Sequence, residues 1–323
     1  MRIVVVGYDK MFSNLVLGSL DAGHKIVGVL RHERVVTNSL VLFFKDIFFP
    51  SKDYTFIKSL GLHEIDARSV NSKEFRSQIL KLSPDVVLVG SWSEKFKKNI
   101  IELPKLGTIN CHPSLLPSYR GPNPYMRVIM NGEKETGITL HLMDENLDTG
   151  PILLQKKISI KQGFDGDTGE SLKNKCCSIA RTAIAELLTR MNNEMVIPIN
   201  QKNTGASYYP QISEKDILLD FDKSSAEINA LVRALTPWQP AYVAHGRVFL
   251  QVGKVEFFEN KTKYKLGMYK AGMVVKRDLR AIWVLTGDNK IAKLSKLKLF
   301  CKIGKIYTPF YLKLFVRIGD VCK

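Results

Sequence analysis

The chain has 323 residues, 45% hydrophobic and 24% charged, which excludes disorder and collagen-like repeats and gives length enough for two domains with a real core. Its net charge of +17 is uneven: residues 251–323 carry 17 Lys and Arg against 5 Asp and Glu, so +12 lies in under a quarter of the length. No apolar run reaches the roughly 18 residues that span a bilayer, and the "MRIVVVGYDK" start lacks a charged n-region and a cleavage site, so no membrane span and no export are expected and the protein is placed in the cytoplasm.

An α/β domain comes first. "RIVVVG" is a β-branched strand ending at Gly7, "FSNLVLGSLDAG" has helical spacing with Gly23 as its stop, and "KIVGVL" is a second strand. Only Gly7 stands in the first turn, so the three-glycine dinucleotide fingerprint is missing and a nicotinamide enzyme is not expected. "PDVVLVGSW" and "GTINCH" read as buried parallel strands, and "TGITLHLMD" as a strand with Ile138, Leu140 and Leu142 on one face. Over residues 170–192, Leu172, Cys176, Ile179, Ala183 and Leu187 recur at helical intervals, which predicts a long amphipathic helix with Cys176 in the core.

Residues 198–213, "PINQKNTGASYYPQIS", have the composition of an irregular linker. "SSAEINALVRAL" predicts a short helix, and "GRVFLQVGKVEFF", "GMVVKRD", "AIWVLTGD" and "IAKLSKLKLF" predict short strands. The fold expected is therefore α/β, a Rossmann-like mostly parallel sheet over residues 1–197, followed after the linker by a smaller β-barrel of the oligonucleotide- and oligosaccharide-binding kind over 214–323. Cys111, Cys176, Cys177, Cys301 and Cys322 are odd in number and show no paired metal spacing, which points to a reducing compartment and no metal. The basic tail reads equally as a surface that meets an anion and as a solvated lysine-rich face.

The stretch "GTINCHPSLLPSYRGPNPY" carries the chemistry. On a strand, Thr108, Asn110 and His112 share one face and Ile109 and Cys111 the other. Asn110 and His112 then offer two hydrogen-bond donors to an oxyanion, if the carboxyl end of that strand opens on a crevice. A polar strand end capped by its own loop would read the same way. Asp148 tips the reading: it follows the strand "ITLHLMD", which in parallel alignment brings it to the same rim, where a carboxylate would raise the pKa of His112 and make it a proton-carrying acid. Asn, His and Asp without a protein nucleophile suit acyl transfer to a nucleophile of the substrate, most simply an amine. "DTG" occurs twice, but Pro151 and Glu170 follow on an α/β background, so neither copy belongs to an aspartic protease pair. Asp167 reads instead as a helix N-cap, with Glu170 completing a capping box.

"NCHPSLLPSYRGPNPY" and then "NGEKETGITLHLMDENLDTGPIL" resemble the 10-formyltetrahydrofolate-dependent formyltransferases, whose signature is an Asn-x-His, a Ser-Leu-Leu-Pro loop and a downstream Asp. The resemblance covers about residues 1–250 and is most specific over 107–155. "TPWQPAY", "YYPQISEKDILLDF" and the barrel-like tail resemble the methionyl-tRNA and aminosugar branches more than the purine-pathway branch. The resemblance implies that the chain is an enzyme that moves a formyl group from 10-formyltetrahydrofolate to a primary amine without a metal. Asn110 and His112 would bind the formyl oxygen, and Asp148 would tune His112 and relay protons. It also implies that backbone groups of two loops hold the pterin, Ser93, Glu94, Lys95 and Phe96 in one and Met143, Asp144, Glu145, Asn146 and Leu147 in the other. Ser114, Leu115, Leu116, Pro117 and Gly121 would border the slot.

Methionyl-tRNA is the favoured acceptor, on the basic tail and the length; the alternatives are a nucleotide-linked aminosugar and a non-catalytic folate- or RNA-binding relative. In the methionyl-tRNA branch an Arg/Pro/Gly-rich insertion follows the second strand, whereas residues 31–50 here are "RHERVVTNSLVLFFKDIFFP". Phe43, Phe44, Ile47 and Phe48 have helical spacing and predict an extra core or dimer helix. Whether the protein is a monomer or a dimer is left open.

Overall fold

The computed structural model describes residues 1–245, 248–261, 264, 266–301, 304–306 and 316–322. The chain divides into two compact units. One comprises residues 1–124, 135–159 and 173–210, the other 125–134, 160–172 and 211–323.

The first unit opens with β1 (Arg2–Gly7), α1 (Asp9–Asp21) and β2 (Lys25–Arg31), and continues through α2 (His32–Val36), α3 (Ser39–Phe48), α4 (Lys52–Ser59) and α5 (Lys73–Leu82) to β3 (Val86–Gly90). After α6 (Lys98–Ile101) come β4 (Thr108–His112), β5 (Glu135–Leu142), β6 (Ile152–Ser159) and, from residue 173 on, the long α8 (Gly169–Asn193), whereas α7 (Pro124–Met130) falls in the second unit from residue 125 on. The sheet order is β2-β1-β3-β4-β5-β6. Strands β1 to β4 pair in parallel, whereas β5 runs antiparallel to β4 and β6 antiparallel to β5. The apolar run of β1 is covered on both faces, with Ile3, Val4, Val5 and Val6 all fully buried.

Gly7 and Gly90 are register partners at the carboxyl ends of β1 and β3, and a Cβ on Gly7 would lie 2.3 Å from the Gly90 carbonyl oxygen. The lone glycine of the first turn thus serves a close approach of two backbones rather than a dinucleotide. Helices α1 and α8 meet just as closely, since a Cβ on Gly18 would lie 2.2 Å from Ile184 Cγ2. Along α8, Cys176, Ala183 and Leu187 are fully buried, as the helical spacing predicts, whereas Ile179 is only partly buried and Ala180 takes the core position beside it. The cap of α8 differs from expectation by one residue: Thr168 and Ser171 exchange hydrogen bonds of 3.1 and 3.0 Å, while the Asp167 carboxylate accepts from Lys161 N and Ser171 Oγ.

The second unit holds α9 (Ser225–Leu235), capped by a reciprocal Ser224–Glu227 box, and then β7 (Ala241–His245), β8 (Val248–Val252), β9 (Lys254–Glu259), β10 (Val274–Arg277), β11 (Ala281–Leu285), β12 (Lys290–Ser295), β13 (Lys298–Cys301) and β14 (Gly304–Ile306). They form two antiparallel sheets, β10-β11-β12-β9 and β14-β13-β8-β7. Glycine 253 joins β8 to β9 and Lys296–Leu297 joins β12 to β13, so two nearly continuous runs of chain pass from one sheet into the other, which is how a small barrel turns its corners. Residues 262–263, 265, 302–303, 307–315 and 323 of the basic tail lie outside the described residues.

Candidate active site

Strand β4 presents Asn110 and His112 on one face, and the register sets Asn110 opposite His141 and His112 opposite Thr139 on β5. Cys111, on the other face, is 2% exposed, and burial raises its thiol far above the ordinary range, so it packs rather than reacts. The antiparallel pairing overturns the expectation that Asp148 arrives at the end of a parallel strand, because β5 leads away from the rim. The loop from Met143 to Pro151 then doubles back, and Asp148 at φ +57° returns its carboxylate to β4.

Four side chains converge there. Asn110 Nδ2 donates to Asp148 Oδ1 at 3.2 Å and to His141 Nε2 at 3.2 Å. His112 Nδ1 lies 3.4 Å from Asp148 Oδ1, and His141 Nε2 lies 3.7 Å from the same oxygen. The Gly121 N–H donates to Asp148 Oδ2 at 2.9 Å, and Gln201 Nε2 donates to the carbonyls of Asp148 at 2.9 Å and Gly150 at 2.8 Å. Arg120 holds Gln201 through its Oε1 at 2.7 Å. His141 and Gln201 are additions to the residues expected from sequence. His141 was within reach of strand alternation, which sets it on the face opposite Ile138, Leu140 and Leu142, whereas Gln201 lies in the presumed linker and carries no local signal.

The partners fix the tautomers. His112 Nε2–H donates to the Tyr119 carbonyl at 2.8 Å, so in the neutral ring Nδ1 carries the lone pair. His141 Nδ1–H donates to the Leu142 carbonyl at 2.9 Å, leaving Nε2 to accept from Asn110. Burial lowers the pKa of His112 and outweighs the opposing pull of Asp148 and the Tyr119 carbonyl. The expected rise, and with it the imidazolium resting state, is therefore corrected: the ring sits 5% exposed and rests neutral. Burial would push Asp148 up, but the attraction of His112 whenever that ring is protonated, together with the Gly121 N–H, holds the carboxyl well below the ordinary carboxylate range. Gly121 and Asn110 donate to the carboxylate in either state of His112, so it is ionised. The site thus pairs a neutral imidazole, ready to take a proton, with a carboxylate ready to stabilise the cation that forms.

The loop beside the cluster is held rigid. Ser114 Oγ donates to the Ser118 carbonyl at 2.8 Å, and Thr139 Oγ1 donates to the Ser114 carbonyl at 2.7 Å and accepts from Leu116 N at 3.1 Å. Leu116, before Pro117, is buried, and Leu115 closes over Gly137, where a Cβ would lie 2.5 Å from its Cδ2.

A family model described as "Formyl transferase" matches residues 1–188, and one described as "Formyl transferase, C-terminal domain" matches residues 211–304. The chain belongs to the formyl transferase family. It is 38% identical to a methionyl-tRNA formyltransferase of Clostridioides difficile over 83% of this chain and 84% of that one. It is 34% identical to a methionyl-tRNA formyltransferase of Caldanaerobacter subterraneus subsp. tengcongensis, covering 88% of this chain and 91% of that one. Among solved structures, an N-formyltransferase from Helicobacter canadensis in complex with folinic acid and dTDP-3-aminofucose shares the fold at a TM-score of 0.64, with 18% identity over 91% of this chain and 99% of that one.

In this formyl transferase the two loops expected to hold a pterin flank one apolar cluster, to which Phe96 belongs and against which Trp92 and Met143 pack. Glu94 is spent internally: it accepts from Ser69 Oγ, from Val70 N at 3.0 Å and from Asn71 Nδ2 at 2.9 Å. Asn71 also takes the Lys95 carbonyl at 2.8 Å. Ser93 Oγ lies 3.0 Å from His32 Nε2. Met143 N donates to the Thr108 carbonyl at 2.8 Å, Asp144 accepts from Asn146 N and Thr149 Oγ1, and Glu145, Asn146 and Leu147 form an exposed tip. Trp92 Nε1 is a buried donor with no partner. No group of three or more His, Cys, Asp or Glu among the described residues could hold a metal ion, and no helix among them is long and apolar enough to cross a membrane.

Proposed function

We propose that this enzyme transfers the formyl group of 10-formyltetrahydrofolate to the amino group of methionyl-tRNA, with Asn110, His112 and Asp148 as its catalytic residues. The observation that carries the chemistry is a neutral, buried His112 facing an ionised Asp148 beside the Asn110 amide. Asn110 gives up the N–H it donates to Asp148 and turns it to the formyl oxygen as negative charge gathers there, its other N–H staying on His141. His112 Nδ1 takes a proton from the attacking amine, Asp148 and the Tyr119 carbonyl accept the two N–H of the resulting imidazolium, and His112 returns the proton to the departing nitrogen. His141, held on the Leu142 carbonyl, keeps the Asn110 amide aimed.

The residues present fit a folate. Ser93 to Phe96 and Met143 to Leu147 flank a common apolar cluster, and the buried Trp92 Nε1, which has no partner, stands just before the first of these segments. The co-substrate supplies the activated formyl carbon. The chain supplies donors, a base and a dry wall, with Ser114 to Pro117 and Gly121 closing the slot.

The two methionyl-tRNA formyltransferases at 38% and 34% identity align with both parts of the chain, which favours tRNA as acceptor. A nucleotide-linked aminosugar is the second reading, favoured by the apolar sequence of α3 where the methionyl-tRNA branch has a basic insertion. We place the reaction in the cytoplasm, in keeping with Cys111, Cys176, Cys177 and Cys322, which are buried and in no disulfide among the described residues.

The test is formyl transfer to charged initiator tRNA and to a dTDP-linked aminosugar at two salt concentrations. Transfer to tRNA is expected, with binding that weakens by a log–log slope of about −0.7 to −0.9 per phosphate contact. Turnover of the sugar nucleotide alone, at either salt, replaces the acceptor. Transfer to neither overturns the enzyme.

A further inference from the structure

Helix α9 buries two polar side chains on the face where an amphipathic helix ordinarily carries apolar ones. Asn229 and Arg233, one turn apart, are each 9% exposed, beside the buried Ile228, Ala230, Ala234 and Leu235. The guanidinium is held in place. Its Nε donates to Asn229 Oδ1 at 2.7 Å and its Nη1 to the Asp167 carbonyl, a reach that Gly166 permits, since a Cβ there would lie 2.8 Å from Nη1. What this buried cation lacks is a counter-ion. Asp167 accepts from Lys161 N and Ser171 Oγ with its carboxylate, and Arg233 makes no ion pair among the described residues. Burial lowers the pKa of Arg233 and outweighs the attraction of Asp167. Buried charges are ordinarily paired, because drying one alone is costly.

A cavity of about 480 Å³ opens on these two residues instead. Its walls come from the end of α7, the turn at residues 162–164 and α9, all in the second unit. Arg233 Nη2 makes no hydrogen bond among the described residues. Neither does Asn229 Nδ2, which is fixed as a donor because Oδ1 of the same amide takes the guanidinium N–H. Glu227 is the one carboxylate among the lining residues, and it is already engaged: it accepts from Ser224 N at 3.0 Å and Ser224 Oγ at 2.8 Å and lies 3.4 Å from Lys223. The charge left over at the cavity is therefore positive.

We propose that this cavity binds a small phosphate monoester, with Arg233 and Asn229 on its phosphate. Three features select that ligand. Nη2 and Nδ2 carry two N–H each and belong to separate groups, which suits the several oxygens of a phosphate better than the two of a carboxylate. The volume lies within the roughly 300–1,000 Å³ of small-molecule sites, and the half-exposed Phe164, packed on Phe257 at 5.2 Å, gives an organic body an apolar wall. Donors this deeply buried are reached by a terminal phosphate and not by one inside a continuous polynucleotide backbone.

Isothermal titration of the full chain at constant ionic strength tests it, with phenyl phosphate, inorganic phosphate, benzoate and an uncharged RNA hairpin as probes. Because binding is read without turnover, the outcome does not depend on the formyl acceptor. Phenyl phosphate is expected to saturate one site per chain, more tightly than inorganic phosphate and at least about tenfold more tightly than benzoate. Asn229→Asp keeps Oδ1 for Arg233 and sets a carboxylate beside it, so it is expected to melt no lower than wild type and to lose at least about tenfold of the phenyl phosphate affinity. Ala226→Glu changes an exposed residue at the rim and is expected to show the same loss; it serves if Asn229→Asp fails to fold. No saturable binding of phenyl phosphate overturns the proposal, as does affinity that both variants retain. Equal binding of benzoate makes the site one for carboxylates, and binding of the hairpin alone gives it to RNA; either result also overturns the proposal.

Discussion

Asp148→Asn keeps the outline of the side chain and removes its charge. In the wild type Oδ2 accepts from the Gly121 N–H at 2.9 Å and Oδ1 from the Asn110 amide at 3.2 Å, with His112 Nδ1 3.4 Å away. If the new amide turns its NH₂ to Gly121, a donor faces a donor. If it turns the other way, the NH₂ faces Asn110 and occupies the lone pair of His112 that must take the proton. Either arrangement costs about 1–3 kcal/mol. The larger loss is in the transition state, where an imidazolium this close to a carboxylate gains roughly 4 kcal/mol at an effective dielectric constant near 20. At about 1.4 kcal/mol per decade, kcat is expected to fall by about 10²–10³. Single-turnover formyl transfer with both substrates saturating measures it, alongside a melting curve. Because the carboxylate raises the pKa of His112 against burial, its removal should also move the acid limb of kcat/KM to lower pH. A rate within about threefold of wild type with an unchanged melting transition, or a limb that moves upward, refutes the assignment.

Gln201→Ala removes the donor to the Asp148 and Gly150 carbonyls and is expected to lower kcat roughly tenfold without moving the acid limb, since the carboxylate charge stays in place; pH–rate profiles of the two proteins decide it. Stability should fall as pH drops below about 6.5, the ordinary value for His, because His112 titrates lower when folded, so its contribution is full above that pH and is lost as pH falls through its folded value. Melting temperatures of wild type and His112→Asn across pH 5–8 should converge toward the acid end; parallel curves would remove His112 from the account. The contribution of Asp148, whose pKa is depressed, is full above about 3.9 and is lost only at stronger acid.

The sheet was legible because its strands are buried on both faces and read as unbroken runs such as "RIVVVG" and "VVLVG". Asn110 and His112 were legible because a strand alternates, whatever its neighbours do. The direction of β5 was not, since a short alternating segment looks alike in parallel and antiparallel pairs, and so the route by which Asp148 reaches the site needed the register. The charge of His112 was misjudged for a related reason: a motif names the carboxylate beside the ring but not the depth at which both sit. The helix at α3 was correctly periodic, yet periodicity shows only that a face exists. Here it points outward, with only Leu42 buried, which corrects the expectation of an extra core helix. Which way it points is set by the pairing of Asp46 with Arg31, which Glu64 also holds, and those partners lie 15 and 33 residues from Arg31 in the sequence.

Arg31 has a consequence for how the molecule comes apart. Its single guanidinium gathers carboxylates from α2, α3 and the stretch after α4, so α2 and α3, which bury only Leu42, are fastened to the end of β2 largely by charge, where the sheet is fastened by burial. Glu33 and Glu64 are held below the ordinary carboxylate range, although burial pushes each up, so protonating them releases the clasp. Apolar contacts weaken on cooling, whereas the cost of drying an ion pair shrinks on heating. The clasp and the sheet therefore answer to different solvents and temperatures. Amide exchange in α3 should quicken in mild acid while β1 and β3 stay protected, giving the segment an opening of its own, separate from the unfolding of the sheet behind it.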